Sequence, residues 1–115
     1  MVSDMVGSYL KVCGRGDVGV GQMKSFTVGG KQLLVVNIDG NYYVVSNVCT
    51  HAGGDLSKGR LDGNVVECPR HHARFDVITG KVVSKPKVGF LRPDIKDLKV
   101  YQVKVVDDDV MAVVE

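Results

Sequence analysis

No stretch of this 115-residue chain approaches the roughly 20 consecutive apolar residues of a membrane-spanning helix. The opening Met1–Ser8 segment also lacks a basic start followed by an apolar block. A soluble, cytoplasmic protein is therefore expected. An excess of either charge is missing: the formal net charge is +2, both signs are spread along the chain, and no polybasic arm is present. Neither nucleic acid nor a membrane is expected as a partner. Internal repeats, linkers, low-complexity segments and helical periodicity are all missing. At 44% hydrophobic residues, a chain of this length suits one core and one globular domain. Cysteine is sparse and odd in number, and a reducing compartment favours metal binding over disulfides, so Cys13, Cys49 and Cys68 do not read as a disulfide framework.

What is present is strand grammar. Short runs rich in Val and other β-branched or aromatic residues alternate with glycine-bearing turns. Segments 24–28 and 31–38 flank Gly29-Gly30, and 41–46 follows Asp39-Gly40; both two-residue links suit primed hairpin turns. Two further hairpins are expected, one joining 74–78 to 81–83 through Thr79-Gly80 and one joining 100–106 to 110–114 through Asp107–Asp109. Between Ser46 and Arg74 the pattern breaks into polar, glycine-rich loops. These carry two of the three cysteines and all three histidines, which is where a site is expected.

Within that break stand Cys49-Thr50-His51 and Cys68-Pro69-Arg70-His71, separated by the sixteen residues 52–67. Each segment offers a soft thiolate followed at short range by an imidazole. Two cysteines and two histidines serve either tetrahedral zinc or an iron–sulfur cluster with mixed ligation, so residue identity leaves both open. Zinc fingers usually pair Cys with Cys and His with His, whereas here each loop supplies one of each, which suits two different metal ions.

The CxH and CxxH pattern resembles the Rieske signature. The likeness extends to Tyr43 in the preceding strand, Gly53 and Gly54, the segment 61–68, Arg74-Phe75-Asp76 and Thr79-Gly80, covering nearly the whole chain. It implies an all-β fold, an antiparallel β-sheet sandwich forming one domain over residues 1–115 with a small cluster-binding subdomain from about 47 to 90. It also implies one [2Fe-2S] cluster per chain, with Cys49 and Cys68 on an inner iron and His51 and His71 on an outer, more exposed one. A third loop around Ser84–Lys87 would cover the cluster, with Pro86 as a shield.

Two thiolates and two neutral imidazoles leave the oxidised core formally neutral, against a dianion with four thiolates. Adding an electron is then easier, which places such clusters at roughly −150 to +300 mV. High-potential members of the family carry an extra disulfide-bonded cysteine in each loop, and a serine and a tyrosine whose hydroxyls donate to sulfur. Read onto this chain, Gly54 and Arg70 stand at the disulfide positions, Ala73 at the serine and Phe75 at the tyrosine. A potential in the lower half of the range is therefore expected, as in soluble Rieske-type ferredoxins of the oxygenase-associated or archaeal sulredoxin kinds. Reduction should also make imidazole protons harder to remove, so the potential should fall with pH once the oxidised form deprotonates.

Other features have plainer readings. His72 has no place in a two-plus-two ligand count, and Cys13 in the run Tyr9–Cys13 suits an ordinary core position. Gly14–Gly19 matches GxGxxG literally but is not followed by the helix that dinucleotide binding requires. Lys58, Arg60, Arg70, Arg74, Lys85 and Lys87 flank the three loops and some could frame a docking face, although scattered surface charge is the default explanation. No second metal set, flavin domain or activated nucleophile is evident. The expectation is a one-electron carrier with a reductase as donor and an oxygenase or other oxidoreductase as acceptor, not an enzyme. A fixed Rieske subunit of a multisubunit reductase or oxygenase is the alternative, and a zinc-stabilised binding module is the third reading.

Overall fold

The structure, a computed structural model, describes residues 9–114. Among these residues eleven strands form three antiparallel sheets, with two short 3-10 turns between strands. The central sheet holds β2 (Met23–Val28), β3 (Lys31–Ile38), β4 (Asn41–Ser46) and β9 (Val100–Tyr101), in the order β2-β3-β4-β9. A second sheet joins β1 (Tyr9–Gly14), β11 (Asp109–Val113) and β10 (Val103–Val106). The third holds β5 (Arg60–Asp62), β6 (Val65–Glu67), β7 (Arg74–Asp76) and β8 (Val82–Ser84). No helix among the described residues is long and apolar enough to cross a membrane.

Strand β3 shows why the layers stack as they do. Successive side chains on a strand point to opposite faces, so an unbroken apolar run means burial on both. Leu33 and Val35 enter one core with Val12, Cys13, Val44, Val110 and Ala112. Leu34 and Val36 enter the other with Leu56, Val66, Phe75, Val77 and the two cysteines of the site, Cys49 and Cys68. The central sheet is thus the shared wall of two cores, and the second grows directly into the Cys/His loops.

The first two hairpins have the expected geometry: Val28 pairs with Lys31 and Ile38 with Asn41, and Gly29, Gly30, Asp39 and Gly40 all have positive φ. Positive φ at both central positions is what a type I′ turn demands, and Gly or Asp before Gly supplies it cheaply. Three expectations need correction. Segment 100–106 is not one strand but two, because the chain leaves β4 after Tyr101 and joins β11 from Val103. The strand expected over 74–78 ends at Asp76, whose carboxylate accepts from the backbone of Ile78 and Thr79 and turns the chain. The stretch between Ser46 and Arg74 contains the β5–β6 hairpin around Gly63-Asn64 and a 3-10 turn, Leu56–Lys58.

Cys13 occupies the core position expected of it. A bulge between Lys11 and Cys13 turns both Val12 and Cys13 inward. Burial, and then the nearby Asp17 charge, push the Cys13 thiol up to about 11, which leaves it protonated and inert. The GxGxxG segment forms a single 3-10 turn, Arg15–Asp17, with Gly14 N–H donating to Asp17 Oδ2 at 2.8 Å. No α-helix follows, so the amino end that would receive a pyrophosphate is absent from this segment.

Candidate metal centre

Two loops rise from the inner core. The first leaves β4 through Asn47, a nearly fully buried polar residue with every side-chain polar atom engaged: Nδ2 donates to Asp55 Oδ1 at 2.8 Å, and Oδ1 accepts from Ser57 N–H at 2.9 Å. Its backbone carbonyl accepts from Leu56 N–H and its N–H donates to the carbonyl of Gln32. Asn47 therefore fixes the base of the loop that presents Cys49 and His51. The second loop leaves β6 at Glu67 and closes on itself, Cys68 N–H donating to Ala73 O at 2.8 Å and His72 N–H to Cys68 O at 3.1 Å.

Asp55 caps the 3-10 turn beside the first loop. Hydrogen bonds from Ser57, and next from Asn47, hold its carboxyl below the usual carboxylate range. A depressed carboxyl contributes stability that is fully present above the unfolded value of about 3.9 and is lost as pH falls through the lower folded value. Asp55→Ala is therefore expected to cost about 1 kcal/mol at neutral pH. Melting curves from pH 7 to pH 3 check this, since the gap to wild type is expected to narrow below about pH 4.

The four residues expected as ligands meet as two pairs. Cys49 and Cys68 are each 2% exposed and lie side by side, and burial, together with the neighbouring Cys68 thiol, raises the Cys49 pKa against its own backbone hydrogen bonds. His51 and His71 are half-buried, with Nδ1 atoms 3.2 Å apart and rings 74° to each other. Metal–imidazole bonds of about 2.0–2.1 Å at a tetrahedral angle set the two nitrogens roughly 3.3 Å apart, so the observed separation suits two ligands of one ion. Among the described residues no three His, Cys, Asp or Glu side chains converge on a single ion. One tetrahedral zinc held by all four is thus not what this geometry provides, whereas a thiol pair inside and an imidazole pair outside fit the two ends of a binuclear cluster.

The surroundings agree. The third loop docks on the second through Lys87 N–H donating to His71 O at 2.7 Å, and Pro86 is buried beneath it. Ala73 and Phe75 are fully enclosed, so the positions that would offer hydroxyls to sulfur carry none. Thr50 Oγ1 donates instead to Lys96 O at 2.6 Å. His72 is exposed, has φ of 65°, and sets Nδ1 2.8 Å from Glu67 Oε2, pointing to a carboxylate and not to the ligand set. That contact first, with Arg74 adding to it, holds the Glu67 carboxyl below its ordinary range.

A family comparison decides what this arrangement belongs to: residues 8–102 match the Rieske [2Fe-2S] domain. The chain belongs to the Rieske family. A curated relative from a Ralstonia species, the ferredoxin component of naphthalene 1,2-dioxygenase/salicylate 5-hydroxylase systems, is 36% identical over 99 residues, covering 86% of this chain and 88% of its own. The ferredoxin of Sphingomonas yanoikuyae B1 superposes with a TM-score of 0.76 at 32% identity, over 90% of this chain and 95% of that one. A chain in the complex of reduced oxygenase and oxidized ferredoxin in carbazole 1,9a-dioxygenase gives 0.76 at 35% identity, over 90% and 99%. The cofactor of this Rieske chain is one [2Fe-2S] cluster.

Sequence reasoning misses the roles of Asn47, Asp55 and Glu67. Asp55-Leu56-Ser57 is a readable capping signal, but Asn47 acquires its role only through contacts eight and ten residues away. Of the six basic residues, three are engaged by neighbours and three are not. Arg74 pairs with Glu67 at 2.9 Å, Lys85 with Asp94 at 2.7 Å, and Arg70 donates to a backbone carbonyl; Lys58, Arg60 and Lys87 make no ion pair among the described residues.

Proposed function

We propose that this Rieske protein is a cytoplasmic, freely diffusing one-electron carrier of an oxygenase system, accepting from a reductase and donating to a terminal oxygenase. The observation that carries the reading is the pairing of buried Cys49 and Cys68 thiols behind half-buried His51 and His71 imidazoles. The cluster supplies one-electron oxidation and reduction at the ends of that array. Cys49 and Cys68 would hold it at the buried end, and His51 and His71, through the facing Nδ1 atoms, at the exposed end. Because those two nitrogens face each other, the opposite edges of the half-buried rings face away from the pair, where a redox partner would meet them. The apolar enclosure by Leu56, Ala73 and Phe75 keeps water from the thiolate end. The relatives' description as ferredoxin components supports a carrier over a catalytic subunit.

The absence of hydroxyls at Ala73 and Phe75 supports a midpoint in the lower half of roughly −150 to +300 mV. The test is a visible spectrum of purified protein before and after dithionite, with iron and acid-labile sulfide assayed on the same sample and a redox titration following. The expected protein is brown, bleaches on reduction and carries about two irons and two sulfides per chain. A colourless zinc protein would end the electron-transfer reading, and a midpoint near the top of the range would end the low-potential one.

A further inference from the structure

The two ligand loops are closed individually but scarcely to each other. In the first, Cys49 N–H donates to Gly54 O at 2.9 Å and Gly53 N–H to Cys49 O at 3.0 Å. The second has the Cys68–Ala73 and His72–Cys68 bonds already described. Apart from the paired ligand side chains themselves, one hydrogen bond among the described residues crosses between the loops: Arg70 Nη1 donates to Ala52 O at 3.0 Å. The stem of Arg70 lies over Gly54, where an added Cβ would stand 3.3 Å from Arg70 Cδ and 3.4 Å from Cγ, and 2.8 Å from Cys68 Sγ. A side chain at Gly54 would crowd Cys68 Sγ first and would press the Arg70 stem aside by a few tenths of an ångström.

We propose that Arg70 is a positioning residue for the cluster, a non-covalent clasp that holds the His51 loop against the His71 loop and so sets the spacing of the two imidazoles. A guanidinium suits such a clasp because it stays charged, its fork is rigid, and its bond to a carbonyl is charge-assisted. Ala52 follows His51 directly and Arg70 precedes His71 directly, so the clasp spans the two outer ligands at the shortest possible leverage. Its charge acts as well, since a cation beside the site favours the form carrying the extra electron. The inference rests on the cluster assignment proposed above.

The test compares wild type with Arg70→Ala and Arg70→Lys, each purified with its cluster. Three quantities are read: the linewidth of the reduced protein's electron paramagnetic resonance signal, the rate at which visible colour is lost in the presence of a chelator, and the midpoint potential. Removing one charge-assisted hydrogen bond is expected to speed colour loss by about tenfold or more in Arg70→Ala, with broadened resonances from a spread of imidazole geometries. Arg70→Lys, which keeps the charge without the rigid fork, is expected to restore the potential but not the linewidth. Should Arg70→Ala hold no cluster, the lysine variant decides: a lifetime and linewidth equal to wild type overturn the clasp. An Arg70→Ala protein that matches wild type in both, or differs only in potential, also overturns it. A wild type without any cluster would instead overturn the parent assignment, and this inference with it.

Discussion

Cys68→Ala is expected to yield a folded but colourless protein, with iron falling from about two per chain to near zero. Cys49→Ala is expected to do the same, and Cys13→Ala to load fully. The three cysteines are alike in burial, at 2%, 2% and 4% exposed, so burial alone does not distinguish them. What separates them is company. Cys49 and Cys68 lie together behind two imidazoles, whereas Cys13 lies in the opposite core among Val12, Val110 and Ala112, across the central sheet. A metal must displace the proton from each thiol it binds, and burial makes that proton costly to remove unless the metal gains two sulfurs at once. Losing either thiol leaves the inner end with a single protein ligand and removes that compensation. For Cys13→Ala the expected change is a stability loss of about 1 kcal/mol from a small cavity. Iron analysis and the visible spectrum of the three variants check the assignment. Loss of colour in Cys13→Ala with retention in Cys68→Ala would place the site elsewhere.

That contrast is legible in the sequence, because ligand identity is a local property. The CxH and CxxH segments put thiol and imidazole within reach of one another whatever the rest of the chain does, and the Gly29-Gly30 and Asp39-Gly40 links fix their hairpins by turn geometry alone. The two cores on either side of Leu33–Val36 are not read from the sequence, which suggests one; the run marks a strand, and only the structure shows that both of its faces are covered. What cannot be read depends on partners distant in sequence. The interruption of 100–106 at Gln102 follows from two different sheets claiming the two ends of one β-rich run, and nothing in the local pattern marks where the claim changes. Strands β5 and β6 are hidden because three residues are too few to show alternation; the Gly63-Asn64 turn between them is the available signal. The clasp from Arg70 to Ala52 belongs to the same class, since it spans 18 residues.

Gly59→Ala is expected to be strongly damaging although it touches no ligand. Gly59 ends the 3-10 turn, its N–H donating to Leu56 O at 3.0 Å, and leads into β5, where Arg60 pairs with Glu67. A Cβ there would overlap the backbone carbonyl oxygen of Glu67 and stand 3.2 Å from Pro69 Cδ. Overlap with a long side chain is relieved by a rotamer change, but a carbonyl in a paired strand can withdraw only by moving the strand. The strand in question delivers Cys68 as its next residue, flanked by the Glu67 carboxylate that engages His72 and Arg74. Strain at Gly59 therefore passes along one peptide unit to a ligand. Overpacking of this kind costs about 3 kcal/mol, which for a domain of this size lowers the melting temperature by roughly 10–15 °C. Cluster loss is expected to accompany unfolding and to begin below it, as the Glu67–Pro69 backbone shifts. Thermal melts followed in parallel by far-ultraviolet circular dichroism and by visible absorbance check both parts. A variant melting within about 2 or 3 °C of wild type would show that β5 and β6 separate more easily than a paired backbone ordinarily does, about 0.5 kcal/mol or less, and would remove the proposed mechanical link between this glycine and Cys68.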